Sequence, residues 1–466
     1  MEKNTRRILV TAVAALLAVA VVLSALLIPR PGTAPSGTVG APLSAMALAE
    51  PVYPDFPKLP IFDENGTDWQ KYNDELSVYF DALFSLRGED ALDPDLCKAL
   101  NAFAQHSTAA TLTSVKGENA LYSPLSLWSA LAMLARCAEG ESRSQILDAL
   151  GADSVEQVDR QVAELWRKLY TDDGMSSLIF ANSIWLNSSM EGTYVQETVD
   201  ALARAHYAAS YAVPMGTEAA DRALSNWIAQ QTRGLIGSDG PVTRTKAETL
   251  ALLVSSLYYK AAWFDKFHAA ANTTDTFTNA DGSTTQMEFM HQTQNASYIQ
   301  AEDYRAAWLP TQLGSMAFVL PEEGVTPEEL LAREGFLDRL DSRYDHGVNI
   351  PYGRVEWSVP KFDVDSRLDL MDTLTAMGVT HVTDPNKANL SAITTLPAVV
   401  SKAEQLARVT VDEEGVEAAA VTIITADATG AFSPPDNVCI MDLDRPFLFV
   451  LRYEGLPLFV GVVNQL

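Results

Sequence analysis

Residues 413–428, with the sequence EEGVEAAAVTIITADA, are the stretch from which the fold of this protein can be inferred. Two acidic residues and Gly415 open it, as they would open a turn, and small or β-branched residues suited to a strand follow. Alternate positions from Val416 onward carry no charge, whereas the other set contains Glu417 and Asp427. A period of two with one uncharged face predicts a strand that is half-buried in a sheet.

Two interpretations of this stretch are compatible with its pattern alone. It can be an ordinary strand followed by a loop, because Thr429-Gly430 and Ser433-Pro434-Pro435 come next and no strand continues through them. It can also be a strand that enters an existing sheet, because the small residues near Gly415 would let it fit between two neighbouring strands at little steric cost. Motifs elsewhere in the sequence are needed to choose between these two interpretations.

Composition restricts the classes of function. The chain has 466 residues, of which 47% are hydrophobic, so a large core can form, and its net charge is −27. This charge argues against binding to nucleic acid and to glycosaminoglycans, since both are polyanions. The three cysteines, Cys97, Cys137 and Cys439, show no C-x-x-C spacing, so neither a disulfide framework nor a zinc site is expected. Free thiols and a single Cys97–Cys137 bridge remain the alternatives.

The motifs of common enzymes are missing from the sequence. The six histidines are scattered, and none lies in an H-E-x-x-H sequence. A G-x-S-x-G nucleophile motif and a G-x-x-x-x-G-K-[ST] phosphate loop are also absent from the sequence. We therefore expect no intrinsic catalysis, no catalytic residue, no bound metal and no cofactor.

The first 92 residues contain three segments with different patterns. Residues 8–28 are uncharged and long enough to span a bilayer, and basic residues precede them. They form an uncleaved membrane anchor or a cleaved signal, and both outcomes place the rest of the chain outside the cell. Residues 31–66 are rich in Pro, Gly and Ala and predict a linker. Residues 67–92 predict an extra helix, over 67–87, and a connector.

Several motifs occur in an order that resembles the serpins, the serine protease inhibitor family. Near the centre of the resemblance are Glu413-Glu414-Gly415, the alanines 418–420 and Thr422. The further segments that carry it are 119–127, 308–310, 316–321, 355–362, 389–393, 444–449 and 457–464. The resemblance covers residues 93–466 and implies one α+β domain with the serpin fold. That fold has three β-sheets, about eight or nine helices and an exposed reactive-centre loop.

The resemblance also implies two groups of site residues. The hinge, where the loop leaves the sheet, corresponds to Glu413, Glu414, Gly415, Val416, Glu417, Ala418, Ala419 and Ala420. The breach and shutter, where the central sheet opens, correspond to Trp263, Ser123, Ser126, Ser255 and Gln405. The sequence departs from the family at three of these positions. Relatives often have Asn in place of Ser255, some have His in place of Gln405, and Thr or Ser is usual in place of Val416.

The function implied by the resemblance is suicide inhibition of serine proteases. The protease attacks the loop, forms an acyl-enzyme and is carried along as the cleaved loop, about 415–428, inserts into the central sheet. The family's spacing places the scissile bond at Thr429–Gly430, with Ala428–Thr429 as the alternative. Small residues there suit elastase-like or subtilisin-like enzymes, and cysteine proteases are a further target class. The competing hypothesis is a non-inhibitory binding or chaperone module at the cell surface, for which helix 67–87 would be a docking element. We expect a secreted or membrane-anchored monomer.

Overall fold

The structure is a computed structural model, and the N-terminal segments predicted above are described only in part. The described residues are 43–51, 53, 57–58, 60, 69–88, 91–173, 176–190, 194–237, 241–341, 351–416 and 437–466. The predicted membrane segment 8–28 lies outside these ranges, as does most of the linker 31–66. Within them, none of the helices has both the length and the apolar character that crossing a bilayer requires.

Ten α-helices occur in the described ranges, three of them no longer than six residues. They are α1 Trp69–Arg87, α2 Pro94–Leu112, α3 Pro124–Cys137, α4 Gly140–Leu150, α5 Val155–Leu169, α6 Gln196–Ala205, α7 Glu218–Gln231, α8 Pro327–Leu331, α9 Phe336–Arg339 and α10 Met371–Ala376. The start of α3 shows ordinary capping chemistry: the Ser123 side chain accepts a hydrogen bond from the Ser126 amide, and Pro124 occupies the first turn. The extra helix predicted over 67–87 is confirmed as α1.

Seventeen strands occur in the described ranges. They are β1 Ala47–Ala49, β2 Ala120–Tyr122, β3 Thr171–Asp172, β4 Ser177–Asn187, β5 Ala208–Val213, β6 Ala251–Ala262, β7 Thr273–Thr278, β8 Thr284–Gln300, β9 Tyr304–Thr311, β10 Gly314–Pro321, β11 Tyr352–Pro360, β12 Phe362–Asp369, β13 Glu404–Val411, β14 Gly415–Val416, β15 Val438–Asp442, β16 Phe447–Tyr453 and β17 Leu456–Val463. Strands β16 and β17 form the hairpin that the C-terminal sequence predicts, turned at Glu454 and Gly455, which both have positive φ.

The large sheet has the order β1-β5-β4-β6-β14-β13-β12, with β3 attached to β4. The second sheet has the order β15-β11-β8-β9-β10-β16-β17-β2, with β7 attached to β8. The resemblance implies three sheets, whereas the described residues form two, because strand β8 joins two of the three. Its first part pairs with β7 and β11 and its last residues pair with β9, so one long strand belongs to both.

The main core lies between the two sheets and under α2 and α3, where Trp128 and Phe449 are fully buried. A second, smaller core lies between α7 and the large sheet, where the ring of Trp185 stacks on Tyr211 with 4.5 Å between centroids. Strand β1 extends this second core at the edge of the large sheet, through its pairing with β5. Residues 47–49 thus add an edge strand to the large sheet.

Two sequence-based expectations are settled by the fold. The strand-like pattern of residues 407–411 leads directly into Glu413 and predicts one continuous strand over 407–413, and this prediction is wrong. Strand β13 ends at Val411, and the chain reverses so that β14 runs antiparallel to β13. The two alternatives for the cysteines are resolved as well, since none of the three forms a disulfide among the described residues.

Candidate functional site

The site is centred on β14, a strand of two residues that lies between two long ones. Gly415 pairs with Ala262 and Val416 with Ala261 on β6, while Val416 also pairs with Val411 on β13. In the described part of the chain, no ladder joins β6 to β13 directly, and β14 bonds to both. A third strand therefore separates them at this end of the sheet.

The side chain of Asp412 causes the chain reversal before β14. Its Oδ1 atom accepts hydrogen bonds from the Glu414 amide at 2.9 Å and the Gly415 amide at 3.2 Å. The Asp412 amide in turn donates to the Gly415 carbonyl at 3.1 Å. This is the local side-chain-to-backbone bonding by which aspartate favours turns over continued strand. Burial raises the pKa of Asp412, although the two amide donors oppose the rise.

Gly415 is required by the close approach of β14 to β6. A Cβ atom at this position would lie 2.3 Å from the carbonyl oxygen of Ala261 and 2.7 Å from the Cα of Ala262. Both are backbone atoms, so no side-chain rotation could relieve the contact. The absence of a side chain at Gly415 is therefore what permits β14 to enter the sheet here.

Trp263 fixes the other side of the turn. It is fully buried, and its indole Nε1 donates to the Asp412 carbonyl at 2.8 Å. Its backbone amide donates to the Glu414 carbonyl at 3.0 Å, and the Phe267 amide donates to the Glu413 carbonyl at 3.2 Å. Three consecutive carbonyl groups of the turn are thus bonded to the segment that follows β6.

A cluster of charges holds the two glutamates of the turn. Lys361 contacts Glu413 at 2.6 Å and Glu288 at 3.1 Å, and the Asn272 amide donates to both carboxylates at 2.6 Å. Lys266 pairs with Glu414. Burial acts to raise the pKa of Glu413, but the hydrogen bonds from Lys361 and Asn272 outweigh it and hold the pKa below its ordinary value. The turn is therefore held by ionised side chains at neutral pH.

A small cavity lies beside β14, in the space between β6 and β13. Its volume is about 20 Å³, and Val416 lines it together with Leu257 and Tyr259 of β6 and Ala407 and Val409 of β13. The side chain of Val416 is 2% exposed. The first residue of the uncharged set in the pattern of residues 416–428 therefore points into the protein, as the period of two predicts.

A second polar cluster lies at the start of α3, where this helix contacts strands β6 and β13 of the same sheet. Gln405 accepts a hydrogen bond from the Ser123 amide at 2.6 Å and donates to the Ser123 carbonyl at 2.9 Å. Ser126 donates from its hydroxyl to the Ser255 carbonyl at 3.1 Å. The side-chain amide of Gln405 thus bonds the start of α3 to β13, while Ser126 bonds α3 to β6. These three bonds connect one helix to the strands on both sides of β14.

The structure therefore distributes the predicted site residues over two clusters. Ser123, Ser126, Ser255 and Gln405 lie together, whereas Trp263 lies at the turn with Glu413, Glu414, Gly415 and Val416. The remaining predicted residues, Glu417, Ala418, Ala419, Ala420, Ala428, Thr429 and Gly430, fall outside the described residues.

Sequence reasoning missed five polar residues of the site, namely Asp412, Lys361, Lys266, Asn272 and Glu288. A partial signal exists for Lys361, because it follows Pro360 inside the 355–362 motif and interrupts an apolar run. Asn272 and Glu288 give no local signal, since only the pairing of β7 with β8, and the hydrogen bond from the Lys361 amide to the Glu288 carbonyl, bring them to the turn.

Comparison with known proteins gives consistent results. A family model described as Serpin (serine protease inhibitor) matches residues 98–466. The chain is 31% identical over 387 residues to Serpin-Z1B of Triticum aestivum, covering 77% of this chain and 93% of the relative. It is 30% identical to Serpin-Z1C of the same plant, again covering 77% and 93%. Among solved structures, the native state of the thermophilic serpin tengpin matches with a TM-score of 0.70 and 26% identity, covering 81% of this chain and 96% of tengpin.

Proposed function

Because the chain belongs to the serpin family of protease inhibitors, we propose that it traps serine proteases by inserting a cleaved loop into its large sheet. We assign the loop to residues 417–436 and the hinge, which joins the loop to the sheet, to residues 413–420. The catalytic serine belongs to the target and attacks the carbonyl carbon of the scissile bond. The C–N bond breaks, the new amine leaves with a proton, and an ester joins the protease to the loop.

One observation carries this proposal. Strand β14 is bonded to both β6 and β13, and the described residues contain no direct ladder between those two strands. Strand β6 continues from Ala261 to Ala251, a distance of about 33 Å at ~3.3 Å per residue. Residues that follow Val416 would therefore extend β14 between β6 and β13 and form hydrogen bonds to both strands.

The energy for trapping comes from this insertion. A sheet that lacks its middle strand is less stable than one that contains it, and the missing strand is stored as the loop. Each added backbone hydrogen bond contributes about 0.5–1.5 kcal/mol net, so ten inserted residues can supply on the order of 10 kcal/mol. This is kinetic stability, because the stored energy is released only after the loop is cut.

We assign the site residues as follows. Residues 413–420 are the hinge, and Trp263 with the charge cluster around Glu413 is the breach that holds the hinge before cleavage. Ser123, Ser126, Ser255 and Gln405 are the shutter, whose hydrogen bonds must rearrange when β6 and β13 move apart. Thr429–Gly430 is the reactive bond, with Ala428–Thr429 as the alternative.

The proposed targets are elastase-like or subtilisin-like enzymes, because the residues at the reactive bond are small and uncharged. Cysteine proteases are a further class, since they also form an acyl-enzyme. We propose that the inhibitor is a monomer outside the cell, secreted or held at the membrane by residues 8–28. No cofactor takes part in this mechanism.

The direct test is to incubate the purified protein with elastase and with subtilisin, followed by denaturing electrophoresis and mass spectrometry. We expect a complex that survives denaturation and a released peptide that begins at Gly430. A peptide that begins elsewhere would move the reactive bond and keep the mechanism. Cleavage without any trapped protease, over a range of stoichiometries, would contradict the proposal.

The second candidate function is a non-inhibitory binding module. Helix α1 favours it, because Val78 and Phe84 are 68% and 58% exposed on a helix that precedes the family match. The same incubation separates the two functions, since a binding module would be cut without forming a covalent complex.

A further inference from the structure

The exposed large hydrophobic side chains are distributed unevenly over the described residues. Ten such side chains occur, and five of them precede residue 88. Of the remaining five, only Leu396 lies away from the ends of segment 417–436. Phe264 follows Trp263 at the hinge, and Tyr352, Val438 and Ile440 lie on β11 and β15, where the segment ends. The fold thus leaves apolar side chains in water where a protease would approach.

The side chains of Tyr352, Val438 and Ile440 lie on one face of the sheet that β11 and β15 form. Exposed Val438 and Ile440 alternate with buried Cys439 and Met441 along β15. The two strands are parallel, with Val438 opposite Arg354 and Ile440 opposite Glu356. Tyr352 lies two residues before Arg354, so it belongs to the same face. We call Tyr352, Val438 and Ile440, with the Arg354–Glu356 pair between them, the outer face.

We propose that this outer face is a second contact surface for the protease that attacks segment 417–436. The inference rests on the proposed function and adds to it a surface that lies outside the loop. The partner is a protease that has exposed apolar side chains beside the part of its cleft that binds residues after the scissile bond. A protease without such residues would gain no binding energy from the outer face.

A backbone hydrogen bond holds the outer face next to Asn437, the first residue after segment 417–436. The Arg354 amide donates to the Asn437 carbonyl at 2.9 Å, one residue before β15 begins. Gly353 permits this contact, because a Cβ atom there would lie 2.4 Å from the Asn437 carbonyl oxygen. Asn437, the residue that follows segment 417–436, is therefore hydrogen-bonded to β11 close to Tyr352.

The size of a protease bound at the loop brings the outer face within its reach. Val438 is eight positions after Gly430, and the chain between them spans at most about 29 Å when fully extended. A protease domain of ~230 residues has a radius of gyration near 17 Å and is roughly 45 Å across. An enzyme bound at Thr429–Gly430 would therefore extend over β15 and cover part of the outer face.

The chemistry of the outer face is that of a protein interface. Its apolar side chains are 59%, 43% and 51% exposed at Tyr352, Val438 and Ile440. Arg354 and Glu356 pair at 2.6 Å, so the face itself carries no net charge in a protein of net charge −27. Tyrosine and arginine around an apolar centre are typical of interfaces. Docking through this face should depend little on salt, because its charges are already paired.

The test uses a double variant, Tyr352→Ser with Ile440→Thr, in the full chain. We expect the second-order rate constant for trapping elastase or subtilisin to fall about tenfold, which corresponds to ~1.4 kcal/mol. The number of inhibitor molecules consumed per trapped protease and the melting temperature should stay unchanged. The dissociation constant for a subtilisin whose active-site serine is replaced by alanine should rise by the same factor.

Matched controls separate docking from damage to the loop. Leu396→Ser removes an exposed side chain that is 38% accessible and remote from the loop ends, and it should leave the rate unchanged. The conservative pair Tyr352→Phe with Ile440→Val should retain the wild-type rate. A slower rate together with more inhibitor consumed per complex would indicate altered loop insertion and overturn the inference.

The remaining outcomes also decide between explanations. If the wild type traps the protease and the double variant traps it equally fast, the second contact surface is refuted and the proposed function stands. If the wild type traps neither enzyme, the proposed function fails and this inference fails with it. If the wild type self-associates and the double variant does not, the occupant of the face is a second copy of the chain, which also overturns the proposal.

Discussion

Replacing Val416 by Arg is the sharpest perturbation of the proposed trap. Val416 is 2% exposed, pairs with Ala261 and Val411, and lines a cavity of about 20 Å³. A guanidinium does not fit in this space, and no carboxylate lines the cavity. The variant protein would therefore have to keep residue 416 out of the sheet, before and after cleavage.

The size of the effect follows from the cost of burying an unpaired charge. That cost is several kcal/mol in proteins, and partial escape of the long side chain to solvent reduces it to ~2–4 kcal/mol. A barrier raised by this amount slows insertion ~30- to 1,000-fold. Hydrolysis of the acyl-enzyme is not slowed, so it overtakes insertion and the inhibitor becomes a substrate.

The assay is a titration of protease with inhibitor, which gives the number of inhibitor molecules consumed per enzyme trapped. We expect this number to rise more than tenfold for Val416→Arg, with the rate of loop cleavage unchanged within about twofold. Val416→Thr is the control, because threonine is small and favours strands, and it should trap the enzyme normally.

Two results would refute the reasoning. Trapping by Val416→Arg at the wild-type stoichiometry would show that position 416 need not enter the sheet. Loss of cleavage together with loss of trapping would show that the substitution acts on recognition of the loop. Hydrogen exchange at residues 415–416 of the uncleaved variant supplies an independent reading, since leaving the sheet should remove their protection.

Four further predictions follow from the contacts of the site. Gly415→Ala should expel β14, because its Cβ would lie 2.3 Å from a backbone oxygen, and we expect faster hydrogen exchange at residue 416. Lys361→Met should cost ~1 kcal/mol in urea unfolding at neutral pH, after allowance for solvent screening. Since the Glu413 pKa is lowered in the folded state, this difference is present above the ordinary value of 4.5 and should shrink as the pH falls below it. Gln405→Leu leaves the buried Ser123 amide unpaired and removes one of the two hydrogen bonds to the Ser123 carbonyl, so it should cost ~1–3 kcal/mol in the same assay, whereas Gln405→His should cost less. Thr429→Arg should redirect trapping towards trypsin, and unchanged specificity would place the reactive bond elsewhere.

The large elements of this fold were predictable because their signals are local. The apolar run 252–263 predicts a buried strand; β6 spans Ala251–Ala262, but its first five residues are only half-buried. The spacing of Tyr72, Leu76 and Tyr79 predicts an amphipathic helix, and all three are buried in α1. In each case the residues close by in the sequence are enough to show which side chains are to be buried.

The reversal at Asp412 was not predicted, although its residues are all visible in the sequence. Residues 407–413 have a strand-like pattern up to the two glutamates, and the prediction extended the strand through them. What ends the strand is one carboxylate that accepts two backbone amides, held in place by Trp263, which is distant in sequence. Such competition between local bonding and strand pairing is decided by a contact that no local pattern contains.

The sequence by itself determined the family and the uncharged set of residues that begins at Val416. These depend on side-chain size and charge along one segment, which are properties of the sequence itself. Only the tertiary structure decided that β14 already lies between β6 and β13, and that Lys361 and Asn272 hold Glu413. Those facts depend on distances between strands far apart in the chain, and such distances are set when the two sheets pack on one core.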